Sequence, residues 1–172
     1  MLNQENRNGN TFNGNAFVDI TFLKDFKFTF NVGTTVNEIR YYTTTNPYYG
    51  FGAEQNGTVT MYHYRTTTLN LQQILNYSHN FGKHNISVML GHESYKYNYA
   101  ELSASKKNMF SYWGNHELNG AVIDGSSAAS YSNDYNTEGY FFRALYDYDA
   151  KYYFSASYRR DASSRFHPDH WW

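Results

Sequence analysis

The chain is expected to fold as an all-β protein, an antiparallel transmembrane β-sheet of about six strands in three hairpins that forms a segment of a larger barrel. Three observations predict this. Apolar and polar residues alternate along most of the sequence, most clearly from Glu138 to Asp161. Aromatic residues make up 20% of the chain, with 19 Tyr and 13 Phe against 2 Pro, which suits the interfacial rings of a membrane barrel. Tight turns also take turns with long polar connections, as when short turns line one rim of an outer-membrane barrel and long loops the other.

Residues 1–11 are rich in Asn and Gly and are expected to be a loop or disordered. The barrel segment is then expected over residues 12–166. Phe12, Gly14, Ala16, Val18, Ile20 and Phe22 alternate with Asn13, Asn15, Asp19 and Thr21, with Phe17 the exception, and give a first strand. After Leu23-Lys24-Asp25, the residues Phe26, Phe28, Phe30 and Val32 alternate with Lys27, Thr29 and Asn31 as a second. Directly opposed residues of a hairpin share a face, so two even-numbered apolar faces require an odd number of turn residues. Leu23 to Asp25 supplies three, as does Asp149-Ala150-Lys151 in the third hairpin. In the middle hairpin the apolar face changes from odd (Leu69, Leu71, Leu75, Tyr77, Phe81) to even (Ile86, Val88, Leu90), so an even turn is needed. Gly82-Lys83-His84-Asn85 supplies four residues, with Gly and Asn to accept positive φ. In the third hairpin Tyr140, Phe142, Ala144, Tyr146 and Tyr148 face the same way as Tyr152, Phe154, Ala156 and Tyr158. Arg143, Asp147, Arg159 and Asp161 point to the other side, the lumen of a barrel, with Arg143 opposite Ser157.

Long polar connections are expected from about Thr43 to Thr60 and from Ala104 to Asn136. Six strands are too few to close a barrel, since the smallest bacterial single-chain barrels have about 8 and plugged transporters about 22. The outermost strands would leave backbone groups unpaired in lipid, so further strands must close the sheet. The first residues lack the basic and apolar regions of a secretory signal, which leads to the expectation of a longer precursor.

Composition excludes other classes. A net charge of -1 gives no basis for nucleic-acid binding. Zero Cys removes disulfides and thiolate chemistry. No nucleophile elbow, P-loop or dinucleotide fingerprint is present, and the carboxylates do not converge, so no enzyme activity is expected. His167-Pro168-Asp169-His170 is the tightest His cluster, but a Pro-interrupted loop offers no template for tetrahedral ligation. No metal or cofactor is expected.

One resemblance sharpens this reading. The aromatic strand from Glu138, the Asp-containing turn, the Ser155-Ala156-Ser157 strand and the ending Arg159-Arg160-Asp161-x-Ser163-Ser164-Arg165-Phe166 resemble the barrel of the SusC/RagA-type TonB-dependent transporters of Bacteroidetes. The match is specific over residues 138–166 and general before them. Two departures are Ala162, where the family usually has Gly, and Trp171-Trp172, where it continues through an Arg-Trp-Gly segment; residues 167–172 therefore read as a truncated loop. The resemblance implies import of glycans or peptides across the outer membrane, a SusD-like surface lipoprotein as lid, and energy from the TonB complex. In that family the TonB complex engages N-terminal regions that are not recognisable in this chain, so the chain by itself is expected to be incomplete as a transporter.

Candidates for cargo contact are the aromatic residues of the long connections, Tyr48, Tyr49 and Phe51 in the first, and Tyr112, Trp113 and His116 in the second. Their rings suit stacking on sugar or contact with a lid, or else anchoring at the membrane interface. The inward charges Arg143, Asp147, Arg159 and Asp161 are expected to bind one another or a plug. Two other architectures remain open at this point: a soluble β-sandwich acting as a carbohydrate-binding module, and a small outer-membrane adhesin barrel.

Overall fold

A computed structural model describes residues 3–110, 116–123, 128–167, 169 and 171–172. Its strands are β1 (Gln4–Phe22), β2 (Phe26–Thr45), β3 (Thr58–Phe81), β4 (His84–Met109), β5 (Ala121–Ile123), β6 (Ala128–Tyr148) and β7 (Tyr152–Ser163). One sheet holds them all, in the order β1-β2-β3-β4-β6-β7, with β5 added beside β4. The three hairpins β1/β2, β3/β4 and β6/β7 are those the alternation predicts. The strands divide between two compact units. One comprises Met1–Phe12, Val36–Thr67 and Asn98–Asn133 and contains the long connections; the other comprises Asn13–Thr35, Thr68–Tyr97 and Asp134–Trp172 and contains the three tight turns.

In the turn-bearing unit the register of β6 with β7 pairs Phe142 with Tyr158, Arg143 with Ser157, Ala144 with Ala156 and Tyr146 with Phe154. This is the register required by a three-residue turn. Both three-residue turns place two successive residues in left-handed conformation, Leu23 (φ 50) and Lys24 (φ 61) in one, Asp149 (φ 52) and Ala150 (φ 52) in the other. The second is tied down by the Asp147 carboxylate, which accepts from the Ala150 amide at 3.0 Å. Residues with a Cβ pay for such geometry, so Ala150→Gly should raise the unfolding free energy of the protein in lipid vesicles by about 1 kcal/mol. An unchanged urea midpoint would show that the turn is unstrained. The middle turn is shorter than expected: Gly82 and Lys83 alone form it, and His84 and Asn85 already belong to β4. Positive φ falls on Gly82 (φ 68) at the first turn position, as in a type II′ turn. Two residues satisfy the same parity as four, so the facing of both strands is unaffected.

In the other unit, strands replace some expected loop. Residues 4–11 continue β1 instead of forming a loop. Their polar side chains are accommodated by pairing; Thr11 donates to Asn37 Oδ1 at 2.9 Å, and a Cβ on Gly9 would crowd Ile39. Strand β4 runs on to Met109, and β5 pairs with it through Lys107↔Ile123 and Met109↔Ala121. Asn- and Ser-rich composition signals loop only where backbone groups have no partner strand. Val59, Met109 and Ala121 form a small buried cluster, with Met61 and Leu118 against it.

Hydrophobic burial otherwise almost vanishes. Among the described residues the only other buried hydrophobic is Ala162, whereas Phe154 is 65% and Tyr158 64% exposed. A soluble sandwich would cover that aromatic face with a second sheet. The described strands all belong to one sheet, so no second layer covers that face among the described residues.

Candidate functional site: the polar face of the sheet

Side chains on alternate positions divide the sheet into an aromatic and a polar face, and a cross-strand polar network lies on the latter. In the turn-bearing unit it centres on Arg159. Its guanidinium donates to Glu93 Oε2 at 3.0 Å, and its Nε lies 2.9 Å from both carboxylate oxygens of Asp161. Gln72 and Asn70 also donate to Glu93, at 3.0 and 3.3 Å. Phe141 lies beneath the guanidinium, 5.5 Å from its central carbon, and occupies the space above Gly91, where a Cβ would overlap the ring. Gly139 is a second notch, since a Cβ there would meet the Asp161 carboxylate and the Arg159 guanidinium. The arrangement is a cross-strand brace in which two carboxylates share one guanidinium.

Further along the same face of this unit, Tyr95 and Tyr97 approach Tyr135 with ring centroids 6.0 and 4.9 Å apart, and the Arg165 guanidinium sits 4.0 Å over the Tyr135 ring. In the other unit, Tyr64, Tyr99 and Tyr131 make a row with centroid spacings of 6.0 and 6.1 Å. Arg7 lies over Tyr64 and donates to its hydroxyl, and Tyr41 stacks on Tyr62 at 4.9 Å. Each unit thus presents a set of tyrosine rings edged by an arginine. The alternation Tyr95-x-Tyr97-x-Tyr99 in β4 was the available signal for these rows. Sequence reasoning passed over it because interfacial girdles account for tyrosine equally well.

The residues singled out from sequence are dispersed. Tyr48 and Tyr49 are 67% and 49% exposed and Phe51, in the short 3-10 helix Gly50–Gln55, is 93% exposed. His116 stacks on Tyr42 at 4.5 Å. Tyr112 and Trp113 lie outside the described residues, as do Pro168 and His170 of the His cluster. Arg159 and Asp161 are brought together, whereas Asp147 caps a turn and accepts from Asn85 at 3.3 Å. Arg143 has no ion-pair partner among the described residues.

The aromatic face carries a second pattern. His84 and His92 on β4, Tyr148 and Tyr140 on β6, and Tyr152 and Arg160 on β7 are each eight residues apart. His84 lies 4.9 Å from Tyr148 and His92 stacks on Tyr140 at 4.7 Å, so each row is laterally connected. Between the rows lie Ile86, Val88 and Leu90, then Phe142, Ala144 and Tyr146, then Phe154, Ala156 and Tyr158. Eight residues at ~3.4 Å span about 27 Å along a strand, and about 20 Å across a bilayer for a strand tilted by some 40°.

No family model matches the chain. A TonB-dependent receptor, P3, of Formosa agariphila is 29% identical over 169 residues, which cover 94% of this chain and 16% of the receptor. The structure of the RagAB peptide transporter superimposes with a TM-score of 0.89 over 99% of this chain and 19% of the other, at 22% identity. The RagAB peptide importer in its open-open state gives 0.87 over the same shares, at 23% identity. The fold is that of a TonB-dependent receptor barrel wall. The chain spans about a fifth or less of the length of these relatives. The six long strands are neighbours in one sheet, and the structural similarity to RagAB extends over the whole sheet beyond residues 138–166.

Proposed function

We propose that the chain forms part of the wall of a TonB-dependent outer-membrane importer of glycans or peptides. The observation that carries the proposal is the division of a single-layer sheet into an uncovered aromatic face bounded by two interfacial rows and a polar face bearing the Arg159 brace and tyrosine rows. The aromatic face then meets lipid and the polar face lines the lumen. On this reading Arg143, Asp147, Arg159 and Asp161 are lumenal. The tyrosine rows are cargo-contact surfaces, because aromatic rings with hydroxyl tips stack on sugars and pack on peptide side chains alike. The exposed connection residues Tyr48, Tyr49 and Phe51 would meet the SusD-like lipoprotein that closes the barrel, and Tyr112, Trp113 and the half-buried His116 are candidates for the same contact from sequence. The TonB complex supplies energy to the whole protein.

The test is uptake by cells producing the whole protein, offered fluorescent oligopeptides and oligosaccharides in parallel. Replacing both Tyr97 and Tyr135 by Ala should slow uptake of the true cargo about tenfold, two stacking contacts at ~0.5–1.5 kcal/mol each, with surface abundance unchanged. Uptake of both cargo classes at the normal rate would remove the tyrosine rows from the proposal. Spin labels at Phe142, Tyr146 and Phe154 that are shielded inside a water-soluble monomer would remove the importer.

A further inference from the structure

We propose that the aromatic face docks one anionic lipid at its His92-side interfacial row, the acyl chain lying in an apolar groove and the phosphate against Arg160. The proposal rests on the reading of that face as lipid-facing. The groove has a volume of about 430 Å³, and Phe28, Leu75, Leu90, Phe142 and Tyr158 line it. Its polar end is formed by His92 and Tyr140. There His92 Nε2 donates to Glu138 at 2.9 Å, and the Tyr140 hydroxyl donates to the same carboxylate at 3.0 Å. Gln73 Oε1 lies 2.5 Å from the other ring nitrogen of His92. Glu138 is thus held by His92 and Tyr140 and makes no direct ion pair with its neighbour on β7.

Arg160 is that neighbour. It is the register partner of Tyr140, which lines the polar end of the groove, and lies on the same face of the sheet. It lies 5.5 Å over the Trp172 indole, which in turn stacks on Tyr140 at 5.6 Å. Among the described residues it has no carboxylate partner. Trp172 thus holds a guanidinium without a direct ion-pair partner on the same face as the apolar trough, one stacked ring away from Tyr140 at its end. A guanidinium in that position favours a phosphate diester through paired N–H donors. The trough favours a ligand with a hydrocarbon tail, which selects a bilayer lipid over free phosphate.

The experiment places the whole protein, carrying a fluorescent non-canonical residue in place of Leu75 in the groove, in phosphatidylcholine vesicles that carry a minor fraction of brominated lipid, and reads quenching of that residue. Brominated phosphatidylglycerol should quench about fivefold more effectively than brominated phosphatidylcholine, the worth of one basic side chain at an anionic surface. Arg160→Gln should abolish that preference and leave quenching by brominated phosphatidylcholine intact, while Arg160→Lys should keep part of it. Equal quenching by the two lipids, or a preference that millimolar inorganic phosphate removes, would overturn the lipid site. Absence of quenching by either lipid would overturn the lipid-facing assignment itself.

Discussion

Ala156→Arg is expected to lower the stability of the protein in lipid vesicles by about 2–4 kcal/mol, the cost of a cation near the bilayer midplane on a barrel's outer face. Ala156 pairs with Ala144 on the aromatic face and lies midway between Tyr152 and Arg160. An arginine there has to reach four positions along the strand to find water, past Phe154 or Tyr158. Ser155→Arg, one residue away, is the control. Ser155 pairs with Leu145 and faces the opposite side; in a water-filled lumen the same charge should cost under about 1 kcal/mol. Urea unfolding from vesicles measures both. Equal destabilisation by the two substitutions would mean that the faces do not see different solvents, and the membrane assignment would fall.

Gly91→Val should cost about 1–3 kcal/mol by overpacking, because the Phe141 ring fills the space where a side chain would go. Displacing the ring also removes the surface beneath the Arg159 guanidinium, so the brace between Glu93 and Asp161 loosens with it. The cause is open to a double-mutant test. Phe141→Ala introduced into the Gly91→Val protein should recover most of the loss, since the valine then occupies the vacated space. If the two substitutions are simply additive, the ring and the glycine are not in contact.

The fold was legible wherever turn chemistry and a period of two coincide. Parity alone predicts Arg143 opposite Ser157, and the register places it there. The middle turn shows how such reasoning tolerates error, since Gly82-Lys83 and the longer Gly82–Asn85 segment impose the same facing. Composition misled where polar strands pair. Residues 4–11 and 104–109 read as loop because Asn, Ser and Gly disfavour strands in isolation, and the ladder that holds them is a long-range fact. The polar-face network was only half legible. Arg159 and Asp161 stand two apart on one strand, but Glu93 and Phe141 join them from β4 and β6, and no local pattern announces that meeting. Tyr135 and Arg165 are likewise thirty residues apart in sequence.

Strand β4 has 26 residues and β3 has 24, whereas a crossing needs ~9–11. The surplus is built as hydrogen-bonded ladder, so Tyr64 and Tyr99 are carried on stiff backbone and not on the tips of wandering segments. If these rings contact cargo as proposed, the ligand meets them preorganised, and little of its interaction energy is lost to freezing the receptor.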